Sequence, residues 1–162
     1  MMKRPIVLFA ALVLSASLAA PRGAAADPTI ATGGAGGTYP PATSFAGVSI
    51  NGIQSGFGVE INLGGSALGQ FCVVLLGVSG LGVEQNIKLE GEVTTASQPA
   101  PNVAILSGTA TIDMGDGLPA ADGIPFTATV ATDASGLGTI GLVTGLASLP
   151  DARMDVGSLT IR

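Results

Sequence analysis

Alternation of apolar with polar or small residues is the strongest pattern in the chain, and it marks two segments. In the first, 57–64, the apolar positions are Phe57, Val59, Ile61 and Leu63. In the second, 87–94, they are Ile87, Leu89 and Val93, with Gly91 on the same side. Successive side chains of a β-strand point to opposite faces, so a period of two predicts two half-buried strands.

A third segment, 71–76, is apolar at every position. Such a run predicts either a central strand covered on both faces or a strand that lines a tight core. The single cysteine, Cys72, lies in this run. A lone thiol in an apolar strand is usually a small buried hydrophobe, so we expect Cys72 to be buried, with a reactive thiol as the alternative.

The second half of the chain repeats this strand chemistry more weakly. β-Branched residues are frequent in 103–114, 124–131, 139–144 and 154–161, which favours extended structure over helix. Pairs such as Asp116-Gly117 and Asp122-Gly123 supply turns between the segments. About eight strands without helical periodicity predict a single antiparallel β-sandwich or small β-barrel over 45–162. The predicted core consists of Phe57, Val59, Ile61, Phe71, Val73, Leu75, Ile87, Leu89, Val93, Ile112, Phe126, Val130, Ile140 and Ile161.

The first 44 residues differ in composition from the rest. Lys3 and Arg4 precede an apolar run over 6–20, and small residues end at Ala26. These are the parts of a secretory signal peptide, which we place at 1–26. The alternative is an uncleaved membrane anchor. A bilayer span needs about 20 apolar residues, and the run over 6–20 is shorter. Residues 27–44 are rich in Gly, Ala, Thr and Pro and are expected to form a flexible segment. The protein is therefore expected to be secreted or periplasmic, without stable membrane insertion after cleavage.

Composition excludes several classes of chemistry. The 162 residues include no histidine and one cysteine, so histidine-dependent catalytic pairs, intrachain disulfides and cysteine-cluster metal sites are ruled out. From Asp27 onward, three basic and eleven acidic residues leave a net charge of −8. Such a chain repels nucleic acid. The five aromatic residues of this part are too few for the girdles of a transmembrane barrel.

The most site-like segment is 113–123, which carries Asp113, Asp116 and Asp122. Carboxylates on one loop can converge with backbone carbonyls on Ca²⁺, which takes six to eight oxygen ligands. The spacing does not match an EF-hand, and Asp-Gly is also ordinary turn chemistry. The sequence therefore predicts a calcium site at these three residues, with a plain hairpin loop as the alternative. It indicates no other cofactor.

Three further carboxylates lie on predicted strands, at Glu60, Glu90 and Glu92. Glycoside hydrolysis uses a pair of such groups. Lys88, Glu90 and Glu92 fall on one face at steps of two, which is typical of a solvated strand face. Sugar binding also favours aromatic platforms, and the chain has no tryptophan. The carboxylates are thus expected to be surface residues.

The C-terminal third carries a series of strand and turn segments at 107–112, 123–130, 138–142 and 157–161. In these segments the chain resembles the close of small all-β domains of uncharacterised bacterial secreted proteins. The resemblance covers about 55 residues and implies an exported β-sandwich or barrel. It implies no catalytic residue, ligand or substrate.

The sequence as a whole predicts an exported protein that is not an enzyme. Its expected role is a binding, adhesive or structural module at the cell exterior, with an extracellular partner or ligand that the residues do not identify. Two alternatives remain open: a carrier of a small apolar ligand inside a barrel, and a carboxylate-dependent hydrolase. Whether the interior is filled or hollow separates the first alternative from the main prediction.

Overall fold

The computed structural model describes residues 27–162, which form nine β-strands and no helix. The strands are β1 (Thr29–Thr38), β2 (Ser44–Phe45), β3 (Val48–Ile61), β4 (Ser66–Val78), β5 (Ile87–Ala100), β6 (Val103–Asp113), β7 (Ala121–Thr132), β8 (Gly138–Thr144) and β9 (Ser148–Ile161). The predicted signal peptide, 1–26, lies outside the described residues. Within the described part, no helix has the length and apolar character needed to cross a membrane.

Eight of the strands close into an antiparallel β-barrel. Their order around the wall is β1-β9-β8-β7-β6-β5-β4-β3, and β1 pairs back to β3. The short strand β2 is an addition that pairs with the start of β3. The prediction of a single antiparallel all-β domain is confirmed, and closure makes it a barrel rather than a sandwich. Closure also removes the unpaired edges that an open sheet would expose.

Inward side chains from all eight strands fill the barrel with one apolar cluster. The alternating segments of β3 and β5 contribute Phe57, Val59, Leu89 and Val93, all of them buried. The predicted core is confirmed at every position except Ile161, which is half-buried and packs against the cluster. An eight-stranded barrel is about wide enough for its interior side chains alone, so this filling matches its size.

Three phenylalanines pack in a row in the interior: the rings of Phe71 and Phe126 are stacked, with 17° between their planes, and the Phe57 ring is tilted by 35° against Phe71. The Phe71 ring lies 6.1 Å from the Phe57 ring and 5.6 Å from the Phe126 ring, centroid to centroid. Phe126, on β7, reaches Phe71, on β4, across Gly91 of β5. A Cβ atom on Gly91 would lie 2.5 Å from the Phe126 ring. The small residue at this inward position therefore makes room for the stack.

The N-terminal part of the domain differs from its prediction. Residues 27–44 were expected to be flexible, with the β domain beginning at 45, but Thr29–Thr38 form a full barrel strand, β1. This strand pairs with β3 along its whole length and with β9 on its other side. Ile30 and Arg162 exchange both backbone hydrogen bonds, at 2.6 and 3.0 Å. Main-chain pairing on two sides holds a segment whose own side chains are too small to do so.

Closure between β1 and β9 depends on bare backbone at Gly37, which lies at a register shift. A Cβ atom there would collide with the Arg153 carbonyl oxygen and lie 2.8 Å from its carbon. At Gly34, on the same strand, the nearest atom to an added Cβ would be the Ser55 carbonyl oxygen at 3.8 Å. The two glycines therefore form a matched pair, one crowded and one open.

We expect Gly37→Ala to destabilise the barrel by about 1–3 kcal/mol, because the β9 backbone must shift to admit the methyl group. Gly34→Ala should be neutral or stabilise by about 0.5 kcal/mol, because it removes chain entropy from the unfolded state. Urea unfolding of both variants measures the difference. Equal stabilities for the two variants would contradict a tight β1–β9 seam.

Candidate functional site

The outer wall of β4 carries an apolar surface where the sequence suggested a strand covered on both faces. Phe71, Val73 and Leu75 point into the core and are buried. Their neighbours Cys72 and Val74 point outward, and Cys72 is exposed. The second alternative for segment 71–76, a strand that lines a tight core, is therefore the correct one. The expectation of a buried Cys72 is wrong, because the period of two in a barrel wall places it opposite its two buried neighbours.

A hollow of about 600 Å³ lies on this wall between β4 and β5. It is lined by Leu68, Gly69, Gln70, Cys72, Glu90, Gly91 and Glu92. The register of β4 against β5 shifts between Ser66 and Gly69, at one end of this hollow. A smaller hollow of about 190 Å³ lies on the other side of Cys72 and reaches Gln54, Gly56 and Lys88.

The carboxylates of the larger hollow are solvated. Glu90 forms an ion pair with Lys88 at 2.7 Å, and both side chains are more than half exposed, at 57% and 56%. The hydrogen bond and the charge of Glu90 raise the pKa of Lys88 above its usual value. Glu92 is the next outward residue on the same strand, and Glu60 lies on β3 opposite Leu68. The three carboxylates thus occupy an exposed wall rather than facing one another across a cleft.

The three aspartates of the predicted calcium site lie at one end of the barrel, around the β6–β7 connection. Each carboxylate accepts hydrogen bonds from nearby groups: Asp113 from the Gly115 amide at 2.9 Å, and Asp116 from the Leu118 amide at 3.0 Å. Asp122 accepts from the Thr111 hydroxyl at 2.7 Å and from the Gly123 amide at 3.0 Å. Among residues 27–162, no three Asp, Glu, Cys or His side chains lie close enough to hold a metal ion. The contacts of Asp113 and Asp116 are those of turn chemistry. Asp122 and Gly123 were predicted to form a turn but lie in β7, where the register with β6 shifts, so the Thr111 contact joins two strands.

Hydrogen bonding lowers the pKa of Asp122 below its ordinary value of 3.8, first through the Thr111 hydroxyl and then through the Gly123 amide. A carboxyl group whose pKa is lower in the folded than in the unfolded state stabilises the fold at pH values above the unfolded-state pKa. This stabilisation is lost as the pH falls through the folded-state pKa. The interaction is therefore present at neutral pH and disappears in acid.

Thr111→Val should raise the pKa of Asp122 toward 3.8, because it deletes the hydroxyl that makes the largest contribution while keeping the branched shape. The pKa can be followed by NMR titration of the Asp122 carboxyl carbon. The stability of the variant should fall less than that of the wild type between about pH 5 and pH 2. An unchanged Asp122 pKa would show that the Thr111 contact does not form in solution.

Calcium binding by Asp113, Asp116 and Asp122 stays a prediction. It requires that at least two of these carboxylates turn from their loop partners to share one ion with loop carbonyls. In that case millimolar Ca²⁺ should raise the Tm of the wild type relative to chelator, and Asp116→Asn should remove the rise. The comparison is made in about 0.5 M salt, which screens diffuse attraction to the acidic surface. An equal shift in both proteins, or none, would leave Asp116 as a turn residue.

Tyr39 is a buried polar residue that the sequence did not single out. Its side chain joins the core cluster at the end of β1. Within the described part of the chain, its hydroxyl is the one buried side-chain polar atom without a hydrogen-bond partner. Burial, and then the charge of Asp151, raise the pKa of this phenol. It therefore stays protonated and acts as a packing residue.

The chain matches no protein-family model, no curated protein and no solved structure. The resemblance of its C-terminal third to bacterial secreted domains therefore stays a hypothesis.

Proposed function

We propose that the protein is an exported, non-enzymatic β-barrel module that acts through its outer surface at the cell exterior, in a binding, adhesive or structural role. The observation that carries this proposal is the filled interior. Side chains from every barrel strand meet in one cluster, which includes Phe71, Leu106, Ile112, Ile140 and Leu142 at 0% exposure. Groups that are available to a partner consequently lie on the outside.

The same packing argues against a carrier of small apolar ligands. A carrier of this size must leave its barrel hollow, with the apolar side chains lining a cavity instead of touching one another. Here Phe57, Phe71 and Phe126 pack against one another inside the barrel at centroid distances of 6.1 and 5.6 Å. The two hollows of the β4 wall open to solvent on the outside of the barrel.

The surface groups also argue against a carboxylate-dependent hydrolase. Such an enzyme needs one carboxylic acid in a low-dielectric site and a second carboxylate across the scissile bond. Glu90 is exposed and paired with Lys88 at 2.7 Å, and Glu92 lies beside it on the same strand. The net charge of −8 from Asp27 onward disfavours strongly anionic partners such as nucleic acid.

The change in Tm on adding a fatty acid tests whether the barrel interior is filled. Thermal unfolding with increasing lauric or palmitic acid should show no saturable rise in Tm, because a ligand that binds the native state would stabilise it in proportion to its excess over Kd. Phe126→Ala serves as the matched control, because it removes one member of the stack and opens a cavity in the same barrel. A saturable rise in the wild type at 1:1 stoichiometry would overturn the proposal in favour of a carrier.

Export is tested separately by expressing the full chain in a bacterial host. We expect the product in the periplasm or medium, with an N-terminus at Asp27, because the predicted cleavage follows Ala26. Replacing Ala24 and Ala26 by bulky Leu residues should block cleavage. Recovery of the wild type only in the membrane fraction, beginning at Met1, would contradict export.

A further inference from the structure

The outward positions of β4 form an apolar stripe with no partner among the described residues. We define the β4 stripe as Leu68, Cys72, Val74, Leu76 and Val78, interrupted only by Gln70. Leu68 is 71% exposed, and the other four are exposed or half-buried. At about 3.4 Å per residue the stripe runs roughly 35 Å along the wall. A contiguous exposed apolar surface of this kind is typical of an interaction site.

The flank of the β4 stripe on β3 has low relief at its centre, between the exposed side chains of Gln54 and Glu60, which lie opposite Val74 and Leu68. Gly56 and Gly58 face Cys72 and Gln70 across the strand pair. An added Cβ atom at either glycine would meet nothing within 4 Å. Bare backbone beside an apolar ridge lets a second surface approach closely, so the wall can accept a flat, complementary face.

The other flank, on β5, carries opposite charges at its two ends. Lys88 lies beside Val74, Glu90 beside Cys72 and Glu92 beside Gln70. Consider a two-fold axis that lies between two copies of this wall, perpendicular to the strands and along the row of Cys72 and Glu90. Rotation about this axis superimposes β4 on β4 and β5 on β5 but reverses the direction of each strand. It therefore places Lys88 of each copy over Glu92 of the other. A two-fold interface requires such self-complementarity.

We propose that the β4 stripe is the interface of a homodimer in which two barrels pack antiparallel across this axis. Leu68 of one copy then lies against Leu76 of the other, and Val74 against Gln70. The Lys88 side chain enters the partner's 600 Å³ hollow, where Glu92 lines the wall. The Lys88 ammonium lies 2.7 Å from Glu90 of its own chain. In the dimer it therefore bridges that Glu90 and Glu92 of the partner, which offsets the repulsion between the two Glu90 carboxylates near the axis. The inference rests on the outer wall and does not depend on export or on the absence of catalysis.

Charge-reversal variants test whether Lys88 of one copy lies over Glu92 of the other in the proposed dimer. Sedimentation equilibrium of the purified protein from about 1 to 200 μM should show a monomer–dimer equilibrium. Lys88→Glu and Glu92→Lys should each raise the dimer Kd at least tenfold, because each creates a like-charge pair across the interface. The double variant should restore the Kd to within about threefold of the wild type, since the two charges are exchanged. Both side chains are exposed, so the variants should fold, and far-UV circular dichroism verifies this.

A matched pair of polar substitutions tests whether the dimer interface lies on the β4 stripe. Val74→Ser should raise the dimer Kd at least tenfold, because Val74 belongs to the β4 stripe. Val143→Ser should leave it unchanged, because Val143 is an outward residue of β8, 49% exposed, on another part of the wall. A wild type that remains monomeric up to 200 μM would overturn the proposal. So would a dimer whose Kd responds to Val143→Ser and not to Val74→Ser, or charge reversals without rescue in the double variant.

Cys72 provides an independent reporter, because the proposed axis passes close to it. In oxidised glutathione, two Cys72 thiolates in a dimer should form one intermolecular disulfide, while each glutathione disulfide consumed is reduced to two glutathione thiols. Val74→Ser should slow this cross-link at least tenfold at equal protein concentration. Cross-linking at the wild-type rate in Val74→Ser would place the contact elsewhere and overturn the proposed interface.

Discussion

Main-chain pairing of β1 with two strands at once is the constraint on which the barrel depends. β1 lies between β3 and β9, which are far apart in the sequence, and its removal would leave two open edges. The β1–β9 seam is tight: an added Cβ at Gly33 would lie 2.6 Å from the Ser158 carbonyl oxygen. On the opposite strand, Gly157 has a φ of 105°, a conformation that glycine adopts readily. The glycines that weaken β1 as an isolated strand are thus what allows closure.

Closure determines how the remaining apolar residues are used. Once the wall is complete, every inward position shares one small volume, so large and small side chains must alternate around it. Phe126 contacts Phe71 because Gly91 and Ala110 lie between them on β5 and β6. The barrel interior is therefore occupied by packed side chains.

The outside of the barrel is not uniform. Its loops use aspartates in local hydrogen bonds, as in Asp133, whose carboxylate accepts from Ser135 and Leu137. These contacts shape turns and need no external partner. The wall at β4 and β5 is different, because it combines an apolar stripe, two hollows and charges of both signs. Turn chemistry and the proposed dimer interface therefore occupy separate regions of one small domain.

Much of this architecture follows from the sequence alone, because period-two alternation is a local property. The segments 57–61 and 87–94 specify both their strand conformation and their buried face. The first was predicted to continue to residue 64, but β3 ends at Ile61, and Leu63 lies in the turn that follows, 75% exposed. The buried positions of Phe57, Val59, Leu89 and Val93 follow from the same pattern. So does the fold class, since no segment has helical periodicity.

Only the tertiary structure determined the role of β1, whose Gly, Ala and Thr residues carry no apolar alternation. Its strand conformation comes from partners such as Ile61 and Ile161, far away in the chain. The exposure of Cys72 was likewise undetermined, since an apolar run does not say whether one face or two will be covered. The strand conformation of β1 and the exposure of Cys72 both depend on closure of the barrel. Closure pairs strands that are far apart in the sequence, so it determines which backbone groups are hydrogen-bonded and which side of each strand faces water.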